Sequence, residues 1–178
     1  RPIPGITLPV GFVQENLRKR IAAVTYEDVN DNNDLTYQHG IIFGYDIHGN
    51  VKSLLQDNQA LAVAVLSQRF KQMDYDYDLI SGNVKMVKYQ SSQPDQFCHK
   101  YFYDADNRIT EVQTSRDNII WDTDCKYFFY KHGPIARVEY GNNKVQGMDY
   151  GYTIQGWIKA VNSNLLKSEN DMGHDGLT

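Results

Sequence analysis

The chain has 178 residues, a mass of 20.5 kDa, a formal net charge of -4 and a pI near 5.7. Hydrophobic residues at 41% and charged residues at 22% exclude a disordered tail and fit one domain or one piece of a repeat array. Nothing marks a basic stripe, so nucleic acid is not an expected partner, and the longest apolar run, Leu61 to Leu66, falls far short of the ~20 residues of a membrane span.

Tyrosine occurs 13 times, and Asp 17 times against 5 for Glu. Tyrosine favours strands, while Asp, with abundant Asn and Gly, favours turns over helix interiors. The composition therefore predicts an all-β chain with many turns. It opens Arg1-Pro2-Ile3-Pro4, without an initiator Met or a signal-peptide pattern, which predicts a piece of a longer polypeptide. Residues 1–19 read as an extended, Pro-containing opening segment.

From residue 20 to 162 one pattern recurs: aromatic, any residue, aromatic, five residues, aliphatic, two residues, aliphatic. Its five copies are Phe43/Tyr45/Val51/Leu54, Tyr75/Tyr77/Val84/Val87, Tyr101/Tyr103/Ile109/Val112, Tyr127/Phe129/Ile135/Val138 and Tyr150/Tyr152/Ile158/Val161. The second copy carries one inserted residue. Ile21 and Val24 read as the returning half of an earlier copy. Aromatics at i and i+2 share one face of a strand, and a Gly or Asn stands four or five residues after each second aromatic, at Gly49, Gly82, Asn107, Gly133 and Gly156. Those residue types accept the positive φ of a tight turn. Each copy is thus predicted to be a β-hairpin: Tyr-x-Tyr out, a turn, and Val/Ile back. Second turns, at Ser91 to Asp95, Ser115 to Asn118 and Gly141-Asn142-Asn143, separate the copies. Between the first two copies, Asn58 to Gln72 fits strand or helix, and Val63 and Val65 favour a strand. Residues 163–178 read as a polar tail.

These copies resemble the RHS or YD-repeat family. Its dipeptide stands as Tyr45-Asp46, Tyr77-Asp78 and Tyr103-Asp104, and Phe43 to Val51 follows the fuller family pattern. The resemblance implies hairpins paired side by side into a curved ribbon, a segment of a spiral shell. Such shells occur in C components of insecticidal Tc toxins, polymorphic RHS toxins and teneurins. It implies a structural role without enzymatic activity or cofactor, in a secreted or cell-surface bacterial protein whose shell encloses a C-terminal toxin or effector. The implied partners are further YD repeats of the same polypeptide, the enclosed toxin domain, and secretion machinery or surface glycans. The fourth copy departs from the pattern at Phe129-Tyr130-Lys131, and no Asp-Pro dipeptide occurs, so the family's self-cleaving site is not in this segment.

Other chemistry is weaker. Asp74, Asp76 and Asp78 alternate, but Leu79 and Lys85 occupy the positions where a calcium loop needs Gly and Glu, so they read as a polar strand face. No metal site is expected. His48 and His132 each precede a turn glycine, His39, His99 and His174 form no ligand or catalytic spacing, and Asp28, Asp31 and Asp34 read as a solvated loop. Cys98 and Cys125 make no CxxC pair; free core thiols and a bridge between adjacent strands are both open, the thiols favoured. Trp121, Trp157 and the tyrosine rows keep one alternative function, a carbohydrate- or surface-binding module. Two expectations concern packing. Aromatics of neighbouring copies should stack in rows across strands, with Tyr103→Ala costing about 3–5 kcal/mol if the ring is fully buried. The first and last strands should be bare edges that need further chain.

Overall fold

The computed structural model describes residues 8–27, 37–59, 61, 68–143 and 145–162. Among the described residues, eleven strands form one antiparallel sheet in which spatial order equals chain order. They are β1 (Ala23–Tyr26), β2 (His39–Tyr45), β3 (Val51–Asn58), β4 (Phe70–Tyr77), β5 (Val84–Tyr89), β6 (Phe97–Tyr103), β7 (Ile109–Ser115), β8 (Asp122–Phe129), β9 (Ile135–Tyr140), β10 (Gln146–Tyr152) and β11 (Ile158–Val161). Each predicted copy is one hairpin: β2–β3, β4–β5, β6–β7, β8–β9 and β10–β11. Ile21 and Val24 flank the start of β1, the returning half before the first copy. No helix among the described residues is long and apolar enough to cross a membrane.

The chain divides into two compact units, one comprising residues up to Tyr77 with Met86–Phe97, the other Asp78–Lys85 with residues from Cys98 onward. In the first unit Phe12, Ile42 and Leu55 form a buried cluster, with Leu8, Ala23 and Phe70 packed against it. Ile42 lies opposite Leu55 in the β2–β3 register, so both point to the same face. Phe12 comes from the opening segment, and that segment is firmly bound to β2. The Glu15 carbonyl accepts the Tyr45 N–H (3.1 Å), the Gln14 amide donates to the Ala22 and Phe43 carbonyls, and the Asn16 amide donates to the Tyr45 carbonyl. The opening segment is therefore a strap with a core anchor, where the sequence predicted plain extended chain.

In the second unit the buried side chains are Cys98, Cys125, Ala136 and Val138 together with polar Thr114, Ser115, Arg137, Glu139 and Asp149. Between β3 and β4, Gln59 and Leu61 are helical. Val63 and Val65, on which the strand expectation rested, lie outside the described residues, as do residues 1–7, 28–36 and 163–178.

Candidate functional site

The hairpin tips are built alike. At the first, the Gly49 N–H donates to the Asp46 carbonyl (3.3 Å) and the Asp46 N–H to the Asn50 carbonyl (2.9 Å). The same two bonds recur at Asp104 with Asn107 and Arg108, at Tyr130 with Gly133 and Pro134, and at Thr153 with Gly156 and Trp157. This is a type I turn closed by a residue in the left-handed region, which forms a bulge. The register shifts at Tyr45↔Val51, Tyr103↔Ile109, Phe129↔Ile135 and Tyr152↔Ile158 record that bulge. At the second tip the inserted residue lengthens the turn, and Asp78 bonds Gly82 and Asn83 instead. All five predicted turn residues have positive φ: Gly49 101°, Gly82 74°, Asn107 61°, Gly133 115° and Gly156 85°.

The aspartate of the Tyr-Asp dipeptide holds the turn. Asp46 Oδ1 accepts the N–H groups of Gly49 (2.6 Å) and Asn50 (2.8 Å). Asp78 Oδ2 accepts the Ser81 N–H and hydroxyl, and Asp104 accepts the Asp106 and Arg108 N–H groups and the Arg108 guanidinium. Burial works against ionisation of Asp46, yet bonds from Asn50 and Gly49 hold its carboxyl below the ordinary range. The Ser81 N–H lowers Asp78, and the Arg108 N–H lowers Asp104. In the fifth copy Thr153 Oγ1 takes this place, accepting the Trp157 N–H.

The second tyrosine of a copy reaches back one strand. Tyr77 OH donates to the Val51 carbonyl (2.9 Å), Tyr103 OH to the Val84 carbonyl (2.8 Å) and Tyr45 OH to the Ile21 carbonyl (2.9 Å). The acceptor is each time the first aliphatic of the preceding copy, so the hydroxyl clasps one hairpin to the next. Burial raises the hydroxyl pKa of Tyr77 and Tyr103, with a smaller push from the neighbouring Tyr75 and Tyr101. The fourth copy has Phe129 here and no hydroxyl to give. Its Tyr130 instead donates to the Tyr150 carbonyl (2.8 Å).

The repeat aromatics lie on one face and are half-buried rather than enclosed. Rings stack along their own strand, Phe43 on Tyr45 (6.4 Å) and Tyr75 on Tyr77 (6.5 Å). This corrects the expectation of rows across copies. Equivalent aromatics stand two strands apart, about 9.5 Å, beyond the 4.5–7 Å of a ring pair, and the returning aliphatic strand fills the gap. A ring pair between copies does occur at Tyr130–Tyr152 (6.3 Å, edge-on). Cys98 alternates with the ring-bearing positions of β6, whereas Cys125 shares the ring face of β8. Neither cysteine forms a disulfide, and the intervening β7 and opposite faces rule out a bridge. The Cys125 thiol donates to Tyr127 OH (3.1 Å). That bond, with burial second, pushes the Tyr127 hydroxyl up to about 12. His132 stacks on Tyr130, and His48 lies exposed beside Asp46.

Three features had no sequence expectation. The carboxamides of Gln90 and Asn162, both with positive φ, imitate a peptide at strand ends. Gln90 Oε1 accepts the Gln72 N–H while its amide donates to the Phe70 carbonyl. Asn162 does the same with the Asp149 N–H and Gly147 carbonyl. Each unit also buries a charge cluster. In the first, Asp57 accepts two bonds from Arg69 (2.7 and 2.9 Å) and one from Tyr37 OH (2.6 Å); a β-carbon at Gly40, opposite Asp57, would collide with the Tyr37 ring. In the second, Arg137 bonds Glu139 (3.1 Å) and Asp149, and a β-carbon at Gly147 would strike its guanidinium. Finally, the first unit holds a polar cleft of about 230 Å3 lined by Glu15, Tyr45, Lys52, Ser53, Gln72 and Asp74 among others. Asp74 accepts the Gln72 amide there, Asp76 is exposed, and Asp78 serves the turn, so the three alternating aspartates do separate jobs.

Fold and tips together define an antiparallel β-hairpin repeat array clasped by tyrosine hydroxyls. Among solved structures the chain is similar to the one titled "Crystal Structure of TcdB2-TccC3-Cdc42", with a TM-score of 0.54 and 12% identity, over 80% of this chain. The chain spans 8% of that chain's length. No protein-family model and no curated protein matches.

Proposed function

We propose that the chain is a wall segment of a YD-repeat shell in a larger secreted or cell-surface bacterial protein, and that it acts by enclosing a C-terminal toxin or effector rather than by catalysis. The observation that carries this reading is the recurrence of one tip geometry along the hairpins, the first three of which are each tied to the preceding returning strand by a tyrosine hydroxyl. A single hairpin is marginal in water; stacking repeats bury a continuous layer, which suits a long wall. The likeness to a structure that contains TccC3 supports a toxin-related shell. Further YD repeats would flank the segment, and the enclosed domain would be its main partner, with secretion machinery or surface glycans outside. The test is a map of the longer protein that carries this segment. Density of a cargo polypeptide inside a wall made by these strands is the expected result; a sheet exposed to solvent on both faces and enclosing nothing would overturn the proposal.

The polar cleft favours a second reading, a carbohydrate-binding module. It brings carboxylates, an amide, a hydroxyl and the Tyr45 ring together, the groups that orient a sugar. Glycan-array binding that is lost on Asp74→Asn would support it.

A further inference from the structure

Resting on the carbohydrate-binding reading of the polar cleft, we infer that the group this cleft selects is a primary ammonium, so that the ligand it takes is an amino sugar. The floor of the cleft is a row across three strands. Gly44 stands opposite Ser53, and Ser53 opposite Asp74; residues directly opposite each other share one face. The strap lies over the Gly44 end of the row. A β-carbon on Gly44 would come within 2.6 Å of Ser53 Oγ and 3.2 Å of the Val13 carbonyl oxygen. Glycine therefore keeps the floor open where these two oxygens converge.

The oxygens of this row are short of donors. Ser53 lines the cleft at 9% exposure, and among the described residues its hydroxyl makes no hydrogen bond. Buried polar groups are as a rule satisfied, so this hydroxyl points to an occupant. The cleft of about 230 Å3 has far more room than the ~30 Å3 share of one water. Asp74 Oδ1 accepts the Gln72 amide (2.8 Å), while its second oxygen accepts nothing and no cation pairs with it among the described residues. Lys52, the ammonium already in the cleft, is held by Glu15 (3.1 Å), and that pair cancels in charge. What remains is one negative charge with the Ser53, Asp74 and Val13 oxygens as acceptors, which matches the single charge and three donors of a primary ammonium. A calcium ion needs 6–8 oxygen ligands, and no group of three His, Cys, Asp or Glu stands together among the described residues. The volume lies below the ~300–1,000 Å3 of sites that enclose a drug-sized ligand, so it suits one sugar ring. Glu15 and Lys52, about half exposed, form the outer rim and offer partners to ring hydroxyls.

The test is a titration of the full chain with glucosamine, N-acetylglucosamine and glucose at pH 6, followed by NMR at the Gly44 and Ser53 amides. Glucosamine should bind about tenfold more tightly than either neutral sugar, the size of one charge-assisted hydrogen bond. Asp74→Asn keeps the shape and removes the charge, so it should erase that preference while the melting temperature holds. Ser53→Ala leaves the charge in place and should weaken glucosamine several-fold. Equal binding of the three sugars, a preference that survives Asp74→Asn, or unchanged glucosamine affinity in Ser53→Ala overturns this inference and leaves the carbohydrate reading standing. Cyclohexylammonium that binds as tightly as glucosamine, and loses that binding in Asp74→Asn, overturns the carbohydrate reading and leaves the ammonium site standing. No shift at Gly44 and Ser53 with any of the four probes overturns both.

Discussion

The two units share one hairpin design and fill their interiors differently. The first buries Phe12, Ile42 and Leu55 beside a single carboxylate, Asp57, held on three bonds. The second buries an arginine between two carboxylates, and elsewhere buries Ser115 opposite Cys98. Tip turns and tyrosine clasps occur in both. The repeat thus fixes what happens along the ladder and at the tips, while each stretch of sheet chooses its own means of filling the face opposite the rings. The first unit gains its apolar cluster because the strap delivers Phe12 to it.

The largest expected effect tests the first unit's buried charge. Asp57→Ala leaves the buried Tyr37 hydroxyl and the partly exposed Arg69 guanidinium without their shared acceptor, and should cost about 3–5 kcal/mol in urea unfolding. Replacing Asp57, Arg69 and Tyr37 together with apolar residues should cost much less, since no charge is then stranded. Next comes the apolar cluster. Leu55→Ala, at 1% exposure, should cost about 2–5 kcal/mol. Tyr103→Ala, on the half-buried ring face, should cost less than the 3–5 kcal/mol of a buried ring, about 2 kcal/mol. Equal losses at the two sites would erase the distinction between the faces.

Turn glycines sharpen the comparison further. Gly133→Ala meets open space and pays only for its φ of 115°, about 1–2 kcal/mol. Gly49→Ala pays a similar strain and also meets the Arg20 guanidinium, so its melting temperature should fall further. pH gives the smallest effects and works at both ends. The carboxyls of Asp46, Asp78 and Asp104 are lowered in the fold. Their contribution is complete above the unfolded carboxylate range, near pH 4, and is lost as pH falls through their lowered values. The Tyr77 and Tyr103 hydroxyls are raised, so theirs is complete below about pH 10 and is lost as pH rises through the raised values. Asp104→Asn should flatten the acid limb of a melting-temperature profile, and Tyr103→Phe the alkaline limb.

The hairpins were legible because two periods coincide: alternation of aromatics marks a strand, and Gly or Asn at a fixed offset marks its end. Asp at the tip was legible as a turn former, although Asp46, Asp78 and Asp104 each use a different set of donors. The clasps were not legible, since Tyr77 and Tyr103 give their protons to backbone carbonyls, and a carbonyl carries no residue identity. Ring packing was misjudged because equal offsets in sequence skip a strand in space. Arg69 with Asp57, and Arg137 with Glu139 and Asp149, carry no spacing that marks them as buried; Gly40 and Gly147, glycines inside strands where β-carbons would not fit, are the signal that something bulky lies close by. Gln90 and Asn162 likewise look like loop residues until their amides are seen completing a ladder.

The central claim is that tyrosine hydroxyls clasp successive hairpins, and the fourth copy offers a direct measurement. Phe129 stands where Tyr77 and Tyr103 stand, so Phe129→Tyr should create a clasp to the Ile109 carbonyl. Urea unfolding of three single variants settles it. The account predicts that Tyr77→Phe and Tyr103→Phe each lose about 1 kcal/mol and that Phe129→Tyr gains up to about 1 kcal/mol. Loss of stability in Phe129→Tyr, or no change in the two Tyr→Phe variants, would contradict it.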